Sequence, residues 1–95
     1  MNRKVDENMA NAVFARKDWS EGHNRVSFSD AQTLGVGSVS YRGNVIVIIM
    51  DDGELRINPP VIREYPTMTT MRKLRALGFD ARIKNGIPVV NGFEV

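Results

Sequence analysis

Few residues in this chain have types and spacing that could do chemistry. The single histidine, His23, follows Gly22 in a Ser/Gly/Asn-rich stretch, "WSEGHN". A general base needs an oriented partner and a nucleophile within hydrogen-bond reach. Glu21 could orient His23, and Ser20 or Ser27 could be recruited, but no spacing makes that arrangement specific, and the preferred reading of His23 is an exposed or turn-stabilising histidine. Asp51, Asp52 and Glu54 cluster in "DDGE". A magnesium site would need further oxygen ligands converging from elsewhere, whereas Asp-Gly is ordinary turn chemistry. "GVG", residues 35–37, lacks the remaining glycines and the helix of a phosphate-binding loop. There is no cysteine, which excludes disulfides, thiolate catalysis and zinc–cysteine sites. The expectation is a protein that is not an enzyme, with no catalytic residues, no metal and no cofactor.

The remaining chemistry is cationic. From Arg63 to Lys84 there are six basic residues, Arg63, Arg72, Lys73, Arg75, Arg82 and Lys84, against Glu64 and Asp80. That segment carries +4 in a chain whose formal total is +2, so the remainder is about −2. A total of +2 is a weak field for a polyanion and has the wrong sign for an acidic DNA mimic. Arg72, Arg75, Arg82 and Lys84 are the candidate partner contacts. Trp19 joins them if it is exposed; otherwise it plugs the edge of a core.

These residues need elements to position them. In "TMTTMRKLRALGF", Thr67 or Thr69 can cap a helix, Gly78 can stop it, and Phe79 can close a Schellman ending. With Met71 at zero, Leu74 falls at about −60° and Leu77 at about −120°, forming the apolar stripe. Arg75 lies at about +40° and Arg72 at about +100°, so these two can act together, whereas Lys73, at about −160°, stands apart from them. Val5, Met9, Ala12 and Val13 predict an N-terminal helix over residues 3–17; Phe14 falls on its opposite side, so the segment is either gripped from two sides or frays before residue 14.

Period-two patterns follow. "RVSF" and "SVSYR" alternate, "DAQTLGVG" is a turn-rich connection, and Gly43-Asn44 reads as a tight turn into "VIVIIM", a strand covered on both faces. Asp51-Asp52-Gly53 leads to "ELRI". Pro59-Pro60 ends that strand, and "VIREY" reads as extended. Asn85-Gly86 and Asn91-Gly92 signal closing hairpins. The fold class is therefore α+β. A small antiparallel sheet of about five to six short strands in hairpins carries one packed helix and an N-terminal helix. Residues 1–95 form a single domain, with the N-terminal helix or arm over 1–18 and the sheet and helix over 25–95.

The order of "F…W", "GHNRV", "VSYRGNVI", "DGELRI", "TMTTMRKLRALG" and a closing hairpin ending "NGFEV" resembles a group of small accessory proteins from tailed bacteriophages. Their pattern is an aromatic pair, a Gly-Asn-x-Arg-Val strand, a strand ending in Gly-Asn-x-Ile, and a Thr-x-Thr-Thr helix. The resemblance spans residues 14–95. Here His23 separates Gly22 from Asn24, and "KLRAL" stands where the group has Arg-Leu-Asn-x-Leu. The resemblance implies a context rather than a mechanism: a phage protein that modulates host machinery by binding, in a bacterial cytoplasm. The longest apolar run, six residues, is far short of the roughly 20 that span a membrane. No secretory h-region opens the chain, so no membrane partner is expected. The expected partner is a host protein. A nucleic acid bound by the basic face is the alternative, and a self-assembling or virion component, dimerising through the edges of "IPVV" or "FEV", is the third reading.

Overall fold

The computed structural model describes residues 4–28 and 36–95. The structure is α+β, with three helices and two antiparallel sheets among the described residues. Helix α1 spans Lys4–Ala15. Strands β1 (Trp19–Glu21), β2 (Asn24–Ser27), β3 (Gly37–Tyr41), β4 (Asn44–Ile49) and β5 (Leu55–Ile57) form a five-stranded meander in chain order. Helices α2 (Pro59–Glu64) and α3 (Met68–Ala76) follow, and then β6 (Ala81–Lys84), β7 (Ile87–Val90) and β8 (Phe93–Glu94) form a second, three-stranded sheet. The connection read as "DAQTLGVG" lies mostly outside the described residues.

Helix α1 buries Met9, Ala12 and Val13, as its periodicity predicts; it leaves Phe14 exposed yet runs on to Ala15, so it is neither gripped on that side nor frayed before residue 14. It ends in a Schellman pattern, with Lys17 N–H donating to Ala12 O (3.0 Å) and Arg16 N–H to Val13 O (3.2 Å). "WSEGHN" is not all loop. Trp19 to Glu21 pair with Asn24 to Val26, and only Gly22 and His23 turn, with Gly22 at φ 61°. The turn into β4 is centred one residue earlier than expected, on Arg42 and Gly43. Both have positive φ (53° and 82°), the geometry a two-residue hairpin loop demands. Asn44 is therefore the first residue of β4.

The unbroken apolar run of β4 has a specific cause. The register steps from Val39↔Val47 to Ser40↔Val45, so Ile46 is an extra residue in its strand. That bulge lets Ile46 and Val47 be buried in succession, with Ile49. Val45 and Ile48 are only half-buried, so the strand is not equally covered on both faces. On the neighbouring strands, Gly37 has no room for a side chain. A Cβ there would lie 2.8 Å from Phe28 Cδ1 and 2.9 Å from the Ser27 carbonyl oxygen. Gly37→Ala is expected to destabilise the fold by about 1–3 kcal/mol, because a backbone atom cannot step aside. Chemical denaturation checks this.

"VIREY" is helical rather than extended through Glu64. Pro59 and Pro60 occupy the first turn of α2, where missing N–H donors would have had no helical partner anyway. Asn58 sets the entry: its N–H donates to Ile46 O (2.9 Å), its Nδ2 to Val45 O (2.8 Å), and its carbonyl accepts from Ile62. Helix α3 matches its expected ends. Thr67 Oγ1 accepts from Thr70 N–H (3.2 Å), and Gly78, at φ 101°, carries the chain into a Schellman ending in which Phe79 N–H donates to Leu74 O (3.0 Å).

One continuous core joins all of this. Met9 and Val13 of α1, Val26, Val39 and Val47 of the large sheet, Ile62 of α2, Met71 and Leu74 of α3, and Ala81 and Val90 of the small sheet belong to it. Helix α1 packs against α3 and β2, and α2 packs against β4 and β7.

Candidate functional site

The seam between α1 and α3 holds the structure's main electrostatic feature. Lys73 is buried, at 2% exposure, and donates from Nζ to Asp6 Oδ1 at 2.8 Å. Asp6 is 3% exposed. The Lys73 ammonium also lies 4.7 Å from the centre of the Tyr41 ring, a cation–π contact in a desolvated setting. Arg72 Nε approaches Asp6 Oδ2 to 3.5 Å, near enough for Coulomb attraction but not aligned as a hydrogen bond. Lys73 therefore does not stand apart as an exposed flank. At about −160° it is only about 40° beyond Leu77, at the edge of the apolar stripe, and α1 covers that edge.

The predicted contact residues divide. Arg72 and Arg75 do share a cleft, but Asp6, Glu7 and Ala76 line it with them. Arg82 donates from Nη2 to both oxygens of Asp80, at 2.9 and 3.1 Å, on the exposed surface. Lys84 is exposed on the same face of β6 as Arg82, by strand alternation. The clefts that Arg72 and Arg75 line include neither Arg82 nor Lys84. Trp19 is half-buried, packed against the core at the start of β1.

The acidic hairpin tip behaves as a turn: Asp52 Oδ1 accepts from Glu54 N–H (2.9 Å), and Glu54 Oε1 accepts from Arg56 Nε (2.6 Å). That hydrogen bond, and secondarily the Glu54 charge, raises the Arg56 pKa from its ordinary value. His23 is exposed at the β1–β2 turn. Among the described residues no group of His, Asp and Glu converges to hold a metal.

A second cleft opens on the other side of Arg72. Val5 and Asp6 of α1, Glu21 to Asn24 of the first hairpin, Tyr41, and Thr69, Arg72 and Lys73 of α3 line it, and its volume is about 390 Å³. Asn24 is 7% exposed. Its Nδ2 donates to Glu21 O (3.1 Å), and its Oδ1 meets no donor among the described residues. Asp6, Asn24, Tyr41 and Thr69 are not among the partner contacts that the sequence singled out. Asp6 did carry a signal: on the α1 wheel it falls at about 100° from Val5, between Val13 and Ala10, inside the apolar stripe. Asn24, next to a glycine turn, carried none.

Comparison with known proteins finds no match to any family model, curated protein or solved structure.

Proposed function

We propose that this chain is a non-enzymatic accessory protein of the tailed-phage type its motifs resemble, and that it acts by binding a host protein in the bacterial cytoplasm. One observation favours a protein over a nucleic acid: Arg72, Lys73 and Arg82, three of the six cations of the basic segment, already face carboxylates of their own chain. Lys73 and Arg72 face Asp6, Arg82 is forked onto Asp80, and Arg75 shares its cleft with Asp6 and Glu7. A phosphate would have to displace those partners. Arg75 and Lys84 remain exposed for contact with a partner, while Trp19 contributes only its uncovered part. Exposed apolar side chains add to the binding surface: Met68 at 58% and Tyr65 at 43% lie at and just before the start of α3. No helix among the described residues is long and apolar enough to cross a membrane.

Capture from bacterial lysate at about 150 mM salt, where surface charges more than about 8 Å apart are screened, tests this reading. The expected result is a specific protein retained by the wild-type chain and lost from a Tyr65→Ala/Met68→Ala variant of unchanged stability. Equal capture by both chains, or none by either, removes it.

A second reading, self-association, has its own observation. "IPVV" is β7, paired on both sides, so it offers no edge. "FEV" holds β8, an edge strand whose Phe93 is 77% exposed beside a cleft formed by Ile57, Phe79 and Val90. A dimer that Phe93→Ser abolishes in sedimentation would favour it.

A further inference from the structure

A further cleft, about 330 Å³, opens between the β3–β4 hairpin, α2 and the start of α3. It is of a size that holds a small molecule. Its lining is mostly apolar. Buried Ile46 and half-buried Val61 supply aliphatic surface, and Tyr41 and Tyr65 supply two rings.

The parts of this lining are fixed by contacts within the chain. Ile46 is the extra residue of the β4 bulge, and bulges re-aim side chains. Asn58, at the entry to α2, ties that bulge in place: its N–H donates to Ile46 O (2.9 Å) and its Nδ2 to Val45 O (2.8 Å). The start of α3 is held by the Thr67 cap, whose hydroxyl also lies 3.0 Å from that of Thr70. A preformed apolar cleft of this kind binds without first having to order its walls.

The charge in the lining decides the ligand class. Arg42 is the one charged side chain there among the described residues. Its guanidinium lies 5.6 Å from the centre of the Tyr41 ring and forms no ion pair with a described residue. This sets it apart from Arg72 and Arg75, whose clefts contain Asp6. A cation would be repelled by Arg42, and a neutral apolar molecule would leave it unmatched. A bare inorganic anion would make no use of the apolar walls. We propose that this cleft is a site for an apolar monocarboxylic acid. Its hydrocarbon or aryl body lies against Ile46, Val61 and the two tyrosines. Its carboxylate accepts from the planar fork of Arg42, a geometry suited to two parallel hydrogen bonds. The site shares Tyr65 with the protein-binding surface but does not rest on that reading.

Amide NMR titration of the isotope-labelled full chain with phenylpropanoate and octanoate tests the proposal. Saturable shifts are expected at Arg42, Ile46, Val61 and Thr69, with a dissociation constant of about 1 mM. Phenylpropanamide, which keeps the body and loses the charge, is expected to bind about three- to fivefold more weakly, the upper range for an exposed ion pair. Phenylpropylamine, with the opposite charge, is expected to bind no better than the amide. Arg42 is exposed at a turn, so Arg42→Gln leaves the core untouched. That variant is expected to hold phenylpropanoate only as tightly as the amide, with its affinity for the amide unchanged. No saturable shift from either acid up to about 10 mM overturns the proposal. So does equal binding of acid and amide by the wild-type chain, or an affinity for the acid that Arg42→Gln leaves unchanged.

Discussion

Asp6→Ala is expected to cost about 3–5 kcal/mol of folding stability, because it strands the Lys73 ammonium in a desolvated seam. Native domains have only about 5–15 kcal/mol in total. At about 4–8 °C per kcal/mol for a domain of this size, the melting temperature should fall by at least about 12 °C. The reciprocal change, Lys73→Ala, should be milder, since Arg72 remains 3.5 Å from Asp6 Oδ2 and can turn to it. The double variant Asp6→Leu/Lys73→Met should recover most of the loss, because a buried ion pair is often no more stabilising than the apolar groups that could replace it. Denaturation of the three variants measures all of this. Single variants within about 1 kcal/mol of wild type would mean that the pair is solvated, since exposed pairs contribute only that much.

Ile62→Ala is the second large effect, expected at about 2–5 kcal/mol. A six-residue helix has no stability of its own, so α2 exists only because it docks. Ile62, at 0% exposure, is its one fully buried side chain, while Val61 and the prolines lie nearer the surface. The loss should appear in the urea midpoint with little change in slope. A loss under about 1 kcal/mol, which is what surface positions give, would return this segment to the extended connection that its double proline suggests.

That segment shows where sequence reading stops. Pro59-Pro60 correctly ends β5, but the same residues also suit a first helical turn, and tertiary contact through Ile62 decides between the two. The same holds for β1: Trp19 to Glu21 have turn-like neighbours and become a strand only because β2 pairs with them. Features fixed by a few adjacent residues were legible. The Thr67 cap, the Gly78 stop and the Asn-Gly hairpins all follow from backbone conformations that those residue types favour. The bulge at Ile46 was not, because an unbroken apolar run has the same appearance in either register.

The candidate site was less legible than the fold, for a physical reason. Asp6 and Lys73 are 67 positions apart, and their partnership needs α1 laid across α3. Each alone carried a local trace, a carboxylate inside one apolar stripe and an ammonium at the edge of another. The composition of the basic segment was plain, but its net field depended on where the carboxylates of α1 and Asp80 fell. Arg72 and Arg75 do share a face, and they share it with acid.

If Arg72, Lys73 and Arg82 are held by their own chain's carboxylates, the basic segment keeps only Arg63, Arg75 and Lys84 exposed and without an ion pair among the described residues. Titration of the folded protein with duplex and single-stranded DNA, starting near 10 mM salt where screening is weakest, tests this directly. The expected result is no saturable binding in the micromolar range typical of non-specific DNA binders. Saturable binding with a log–log salt slope of about −3 or steeper, equivalent to three or more neutralised phosphates, and lost in an Arg72→Ala/Arg75→Ala variant, would contradict it.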